Sequence, residues 1–390
     1  DASNQITISN GTTVSVNNSA LDAGAAYVFR RTGSTWTNEA YLKAPNSEGS
    51  DNFGISISIS GDTIVVGANG ESSNQTTITN GLAPVGVNGA GGAGAVYVFK
   101  RTGSIWTNEA YLKAPNAEAS DQFGISVAIS GDTIVVGALD EDSNQTTITN
   151  GTTASNDNTA GTSGAAYVFR RNGTTWTNEA YLKAPNSESF DYFGQSVSIS
   201  GDTIVVGARG EDSNQTTITN GTLQVNGTGV NDSGAVYVFR RTGNIWSNEA
   251  YLKAPNAETL DNFGISVSIS GDIIVVGANF EDSNQTTITN GAITGQTSDT
   301  ANNLGVGAAY VFRRNGNLWT NDAYLKAPNA GGNMPNIGDM FGESVSISGD
   351  TIVVGANSED SNQTTITNGT TASLDNSISN SGAAYVFRRK

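Results

Sequence analysis

Along residues 123–130 apolar and small polar side chains alternate, with Ile125, Val127 and Ile129 on one parity and Ser126, Ala128 and Ser130 on the other. A period of two belongs to a β-strand with one buried face. Gly131-Asp132 then separates this run (A) from a second (B) at residues 133–138, and a Gly-Asp pair between apolar runs predicts a two-residue hairpin turn. Run B, Thr-Ile-Val-Val-Gly-Ala, is apolar on both parities, which predicts a strand covered on both faces. The A–B pair recurs from Phe53, Phe193, Phe263 and Phe341. One hairpin cannot bury two such strands, so the recurrence predicts units stacked on one another.

Two further runs complete each unit. After B comes a loop rich in Gly, Asn, Ser and Thr that carries Ser-Asn-Gln-Thr-Thr-Ile-Thr-Asn-Gly, residues 143–151 in one copy. Its Thr-Thr-Ile-Thr alternates and predicts a short extra strand. Run C (residues 164–171) is aromatic and β-branched, and its turn, Asn172-Gly173, leads to run D (residues 176–184). D is more polar and ends in Lys183 before Pro185, the features that blunt an edge strand, so it is expected outermost, with Lys183 and its equivalents as gatekeepers.

Four antiparallel runs in repeats of ~70 residues predict an all-β fold, a β-propeller of about five four-stranded blades. The coils of a parallel β-helix are shorter than this unit and lack hairpins, and one unit is too small to be a sandwich with its own core. The reading takes residues 1–390 as one propeller with repeats at 53–114, 123–184, 193–254, 263–327 and 341–390. Strands at 24–44 complete or extend the last blade. That assignment leaves one C run, 25–30 or 383–388, without a place, because A, B and D occur five times and C six.

The Phe-Gly that opens A (Phe193-Gly194), the Val-Val-Gly-Ala that closes B (residues 205–208) and the Gly-Ala-Val-Tyr-Val-Phe of C (residues 234–239) resemble FG-GAP repeats. These build the integrin α-chain propeller and many bacterial surface proteins, and the Leu-Lys-Ala-Pro-Asn and Ser-Gly-Asp wording is most similar to the bacterial branch. The resemblance implies an extracellular or cell-surface propeller. Two departures stand out: the motif's Pro is replaced by Asn69, Leu139, Arg209, Asn279 and Asn357, and the Asp-rich A–B loop of calcium-binding members is reduced to Ser-Gly-Asp. That hairpin offers too few oxygens for the six to eight that calcium takes, so no metal is expected.

Composition narrows the chemistry. Nineteen Lys and Arg against 36 Asp and Glu give a formal charge of −17, unsuited to nucleic acid or an anionic membrane. The absence of Cys and His removes thiol chemistry, disulfides and imidazole bases. No apolar run approaches the ~20 residues of a membrane span. An opening at Asp1 without Met or an apolar leader reads as a processed product or a piece of a longer chain. Near-identical repeats place acids in symmetric surroundings, whereas a carboxylate-pair hydrolase needs contrasting ones. No catalytic residue and no cofactor is expected.

The remaining candidates have structural readings of their own. Asp51, Asp121, Asp191, Asp261 and Asp339 precede Phe-Gly and are read as caps of the turn into A. Glu141-Asp142, Glu211-Asp212, Glu281-Asp282 and Glu359-Asp360 read as a solvated loop, and the Trp of run D as core rather than a sugar platform. The B–C loops exceed the ~12–15 residues beyond which structureless loops are uncommon and mostly functional. In them Asn-x-Ser/Thr recurs, at Asn74, Asn144, Asn214, Asn284 and Asn362 in one shared place and also at Asn150, Asn220 and Asn368. These eight are candidate glycosylation sites. A non-enzymatic structural or adhesive propeller, self-associating head to tail by strand exchange into a glycosylated filament, is one functional reading. A carbohydrate- or protein-binding module of a larger surface protein is the other.

Overall fold

The computed structural model describes residues 1–12, 17–82, 88–221, 229–283, 285–291, 305–330 and 338–389. Two compact units divide the chain, Asp1–Ser189 and Phe190–Lys390. In the first unit, β1 (Ser9–Asn10), β2 (Ala26–Thr32) and β3 (Thr35–Leu42) form a sheet in the order β1-β3-β2. Next, β4 (Ser56–Ser60), β5 (Thr63–Ala68), β6 (Thr79–Asn80), β7 (Ala95–Thr102) and β8 (Ile105–Leu112) pair as β4-β5-β7-β8-β6. The same order recurs in β9 (Ser126–Ser130), β10 (Thr133–Ala138), β11 (Thr149–Asn150), β12 (Ala165–Asn172) and β13 (Thr175–Leu182).

The second unit repeats it twice more. One sheet holds β14 (Phe193–Ser200), β15 (Thr203–Ala208), β16 (Thr219–Asn220), β17 (Ala235–Thr242) and β18 (Ile245–Leu252). Another holds β19 (Ser266–Ser270), β20 (Ile273–Ala278), β21 (Thr289–Asn290), β22 (Ala308–Asn315) and β23 (Leu318–Leu325). The last has three strands, β24 (Phe341–Ser348), β25 (Thr351–Ala356) and β26 (Ala383–Arg388).

The fold is therefore an all-β β-propeller with six blades of three to five strands, not about five blades of four. The expectation fails at the first and last blades. β2 and β3 are a continuous hairpin in register from Ala26↔Leu42 to Thr32↔Thr35, and they form a sheet of their own instead of completing the last one. In the last sheet β26 pairs with β25 from Ala356↔Ala383 to Thr351↔Arg388. The spare C run thus has a place. D is not outermost either: in each complete blade the Thr-Asn of the B–C loop pairs outside it, Thr149↔Tyr181 and Asn150↔Ala180 in the third sheet.

Sequence periodicity explains the stacking. Strand β10 is buried at all six positions, as a run apolar on both parities requires. Val65, Val98 and Leu112 of one blade pack against Ile134, Tyr167, Phe169 and Trp176 of the next in a single cluster. The Phe-Gly and Gly-Ala motifs meet at this seam. A Cβ on Gly67 would overlap the carbonyl oxygen of Gly124, and one on Gly207 that of Gly264, so Gly67 and Gly207 must be glycine for the backbones to approach. The polar parity of A has a matching use. Ser56 Oγ donates to Gly124 O at 2.7 Å, while Ser58 and Ser60 Oγ accept from Ile129 and Gly131 N at 3.2 and 3.1 Å, satisfying groups on the open edge of β9.

Candidate functional site

The glutamate that follows B is buried in all five blades that have a B strand, which corrects its reading as a solvated loop. Glu141 accepts from Lys183 Nζ at 3.1 Å, Tyr181 OH at 2.8 Å, Asn116 Nδ2 at 3.0 Å and Ser143 N at 3.2 Å. Asn116 belongs to the link from the preceding blade, and its Oδ1 accepts from Tyr167 OH at 2.7 Å. Lys183 is likewise no edge gatekeeper. Fully buried, it donates to Gly164 O at 2.6 Å and Ser163 Oγ at 2.8 Å besides its carboxylate. Lys113–Glu71, Lys253–Glu211 and Lys326–Glu281 repeat the pair at 3.1, 3.0 and 2.7 Å. Burial pushes the ammonium of Lys113 and of Lys253 down from its ordinary value, and the facing glutamate opposes that shift.

A second charged cluster ties the blades together elsewhere. In strand D a β-bulge leaves Glu109 as an extra residue between Asn108 and Ala110 opposite β7. The bulge re-aims Glu109 at the next blade, where it lies 3.1 Å from Arg171 Nη1. Arg171 Nε also donates to Asp132 at 2.8 Å, and its guanidinium lies over Trp176 at 5.1 Å. Arg101 and Arg314 repeat the arrangement with Glu39 and Asp62, and with Glu249 and Asp272. The A–B turn carboxylate, where calcium-binding relatives carry their Asp-rich loop, is here an arginine partner. Among the described residues no group of three acidic side chains converges as a metal site. Nor is any helix long and apolar enough to cross a membrane.

The Asp before Phe-Gly is buried and caps, but not the turn into A. Asp121 Oδ2 accepts from Glu118 N at 2.8 Å, three residues earlier, and Asp51 does the same from Glu48 N at 2.7 Å. Burial raises these carboxyls, Asp51 to about 7 and Asp121 to about 8. Trp106, Trp176, Trp246 and Trp319 are core residues at 1% exposure, whereas Trp36 is 63% exposed.

The loop asparagines fall into two sets. Asn74, Asn144, Asn214 and Asn362 are exposed at one shared loop position; Asn284 lies outside the described residues. The recurrence of their Gln has a structural cause, since Gln145 Nε2 donates to Thr147 O at 2.6 Å and Thr149 Oγ1 at 2.9 Å, fixing the loop. The second set is different. Asn220 Oδ1 accepts from Trp319 N at 2.7 Å while its Nδ2 donates to Trp319 O at 3.2 Å, and Asn80 grips Trp176 in the same way. This two-point clasp joins β16 to the next blade's D strand, whereas the first set bonds within its own loop, Asn144 Nδ2 donating to Thr159 Oγ1 at 2.6 Å and Asn362 Nδ2 to Asp375 Oδ2 at 2.9 Å. Asn150 and Asn368 stand at the equivalent position of their own loops, both exposed.

The first and last sheets differ from the other four in what they leave uncovered. Tyr27, Phe29 and Trp36 are exposed on the first, Ile57 and Ile59 on β4 beside it, and Val353 and Val386 on the last. Equivalent residues in the complete blades, such as Tyr167, Phe169, Trp176, Val135 and Val168, are buried. Nothing in the sequence of a run distinguishes an end copy from an inner one.

Stacked three- and five-stranded blades, sealed by glycine contacts and inter-blade clasps, define a repeat-built β-propeller. The family model described as FG-GAP repeat matches residues 36–99, 106–169, 176–239, 246–293 and 319–387, so the chain belongs to the FG-GAP repeat family. No curated protein matches it.

Proposed function

We propose that this chain is a non-enzymatic structural or adhesive module of an extracellular or cell-surface assembly, whose copies join head to tail into a filament. The observation that carries this reading is the contrast between three inner blades covered on both faces and the two ends of the chain, where the three-stranded blades and β4 leave aromatic and β-branched residues exposed. Such faces and open strand edges are where β-proteins take partners, and a contact between unlike ends propagates when it does not close. The buried state of the repeated acids, lysines and tryptophans supports a scaffold over a catalytic surface. Sedimentation velocity and negative-stain electron microscopy of residues 1–390 test the reading: linear polymers that lengthen with concentration are expected, and a strict monomer at high concentration overturns it. Glycans on Asn74, Asn144, Asn214 and Asn362 belong to the same reading, and the intact mass of native material checks them against the bare polypeptide. The exposed, polar B–C loops favour a second reading, a carbohydrate- or protein-binding module, which a monomer binding a defined glycan would support.

A further inference from the structure

Each complete blade buries one lysine with one glutamate, and the two three-stranded blades each hold half of that pair. Lys43 of the first blade is buried and donates to Gly24 O, but among the described residues no carboxylate forms an ion pair with it. The glutamate's place is taken by Asp1, one methylene shorter, which accepts from Ser3 N at 2.7 Å and Tyr41 OH at 3.4 Å. Glu359 of the last blade is also buried; Asn329 Nδ2 and Ser361 N donate to it at 2.8 and 3.1 Å, and among the described residues no cation pairs with it. A buried charge without its counter-ion is unfavourable by several kcal/mol.

Resting on the head-to-tail reading above, we propose that the partner at both ends is a second copy of this chain, joined by exchange of one strand. The β2–β3 hairpin of the second copy enters the last blade as its C and D strands, β26 leaves, and Lys43 pairs with Glu359. The exchange preserves contacts because residues 383–389 and 25–31 are the same seven amino acids, Ala-Ala-Tyr-Val-Phe-Arg-Arg. Each pairing that β26 makes with β25, from Ala356↔Ala383 to Thr351↔Arg388, can be made by Ala25 to Arg30 at the same register. Tyr27 likewise replaces Tyr385, whose hydroxyl donates to Asn329 Oδ1 at 2.7 Å.

What the exchange adds is the D strand and its neighbour. Tyr27, Phe29 and Trp36, now exposed, take the place against β20 and β22 that Tyr167, Phe169 and Trp176 hold in a complete blade. The second copy's β4 then follows as the next blade, so that β24 and β25 cover Ile57 and Ile59 and are themselves covered at Val353. The hydroxyls of Ser346 and Ser348 come into line with Ile59 and Gly61 N, as Ser58 and Ser60 do with Ile129 and Gly131 N. One joint thus pairs two orphaned charges and covers the exposed apolar residues of both ends. Asp1 and β26 are the redundant copies that it releases.

Charge reversal tests the joint in the full chain. K43E alone and E359K alone are expected to raise the critical concentration for polymers by on the order of 100-fold or more. The double variant K43E/E359K restores assembly, and so does an equimolar mixture of the two single variants, whose ends alternate. Far-ultraviolet circular dichroism shows whether each variant folds. A second variant, with residues 383–390 deleted, keeps the proposal falsifiable if charge reversal disturbs folding: removing the competing strand should lower the critical concentration. Polymers that ignore both charge reversals, or that disappear when β26 is deleted, overturn strand exchange and leave head-to-tail association standing. A parent chain that never polymerises overturns both, and a monomer in which K43E and E359K rescue each other's stability assigns the pair to one copy instead.

Discussion

Replacing Lys183 with Met tests whether the buried pair belongs to the framework of the blade. Met keeps most of the apolar stem and removes the ammonium, which contacts Glu141 Oε2, Ser163 Oγ and Gly164 O. Glu141 then keeps Tyr181, Asn116 and Ser143 N as donors but loses its counter-ion at 2% exposure. Removing one partner of such a pair costs about 3–5 kcal/mol. Glu141→Gln on its own leaves the ammonium stranded and should cost a similar amount. The double variant Lys183→Met/Glu141→Gln buries no charge, and the amide still accepts hydrogen bonds, so it should cost about 1–3 kcal/mol less than the sum of the singles. Urea unfolding followed through tryptophan fluorescence reads the cycle, because Trp176 is buried in the same blade. A Lys183→Met cost below about 1 kcal/mol, or additivity within about 0.5 kcal/mol, would refute the argument.

Three further outcomes are expected. Asp121, raised from 3.8 to about 8 by burial, binds its proton more tightly in the folded chain; its stabilising contribution is complete below pH 4 and is lost as pH rises to about 8. Asp121→Asn, whose carbonyl can still accept from Glu118 N, should therefore gain stability relative to the parent between pH 5 and pH 8, and a difference that shrinks over that range contradicts the assignment. Gly207→Ala should cost about 3 kcal/mol or more through overlap with Gly264 O, against about 1–2 kcal/mol for Gly201→Ala, where φ is +58° but the space is open; equal midpoints in denaturant would show that the seam yields. Asn80→Ala removes the two hydrogen bonds to Trp176 and should cost about 1–3 kcal/mol, whereas exposed Asn74→Ala should stay within about 0.5 kcal/mol; the reverse order in thermal melts would overturn the division of the loop asparagines.

The strands were legible because their signal is local. Alternation in A, apolar residues on both parities in B and a Gly-centred turn each depend on neighbours a few residues away, and all three appear as expected in β9, β10 and the Ser130↔Thr133 closure. The misreadings of Lys183 and Glu141 have the opposite origin. A lysine before proline at the end of a polar strand has the sequence signature of an edge, and burial of its ammonium depends on a glutamate 42 residues away. Two adjacent acids after B look alike in sequence, yet Glu141 turns inward while Asp142 Oδ1 caps Thr162 N at 2.7 Å. A recurring pattern, one Lys to one Glu at a separation of 42 residues in three blades and 45 in the fourth, was the available signal. Only the register of C against D turns that separation into contact.

The blade count was harder, for a reason that bears on assembly. The family matches begin at a D-strand Trp, and four of the five run to the following C strand, as in residues 106–169, so the unit that recurs in sequence is D-A-B-C while the unit that folds is A-B-C-D. Sequence phase alone cannot decide which C strand pairs with β25, because β2 and β26 carry the same residues. Connectivity decides it within one molecule. β26 is tethered to β25 by the B–C loop, and a tether of that kind gives an effective concentration on the order of millimolar, rising in cost only slowly with loop length. An untethered β2 arriving from another copy must overcome that advantage. It brings no better C strand, only what β26 lacks: a D strand in register and an ammonium for Glu359. The same identity of strands that hides the blade boundary in the sequence would therefore make the proposed exchange nearly neutral in C-strand contacts, and would leave the D strand and one buried charge pair to set its direction.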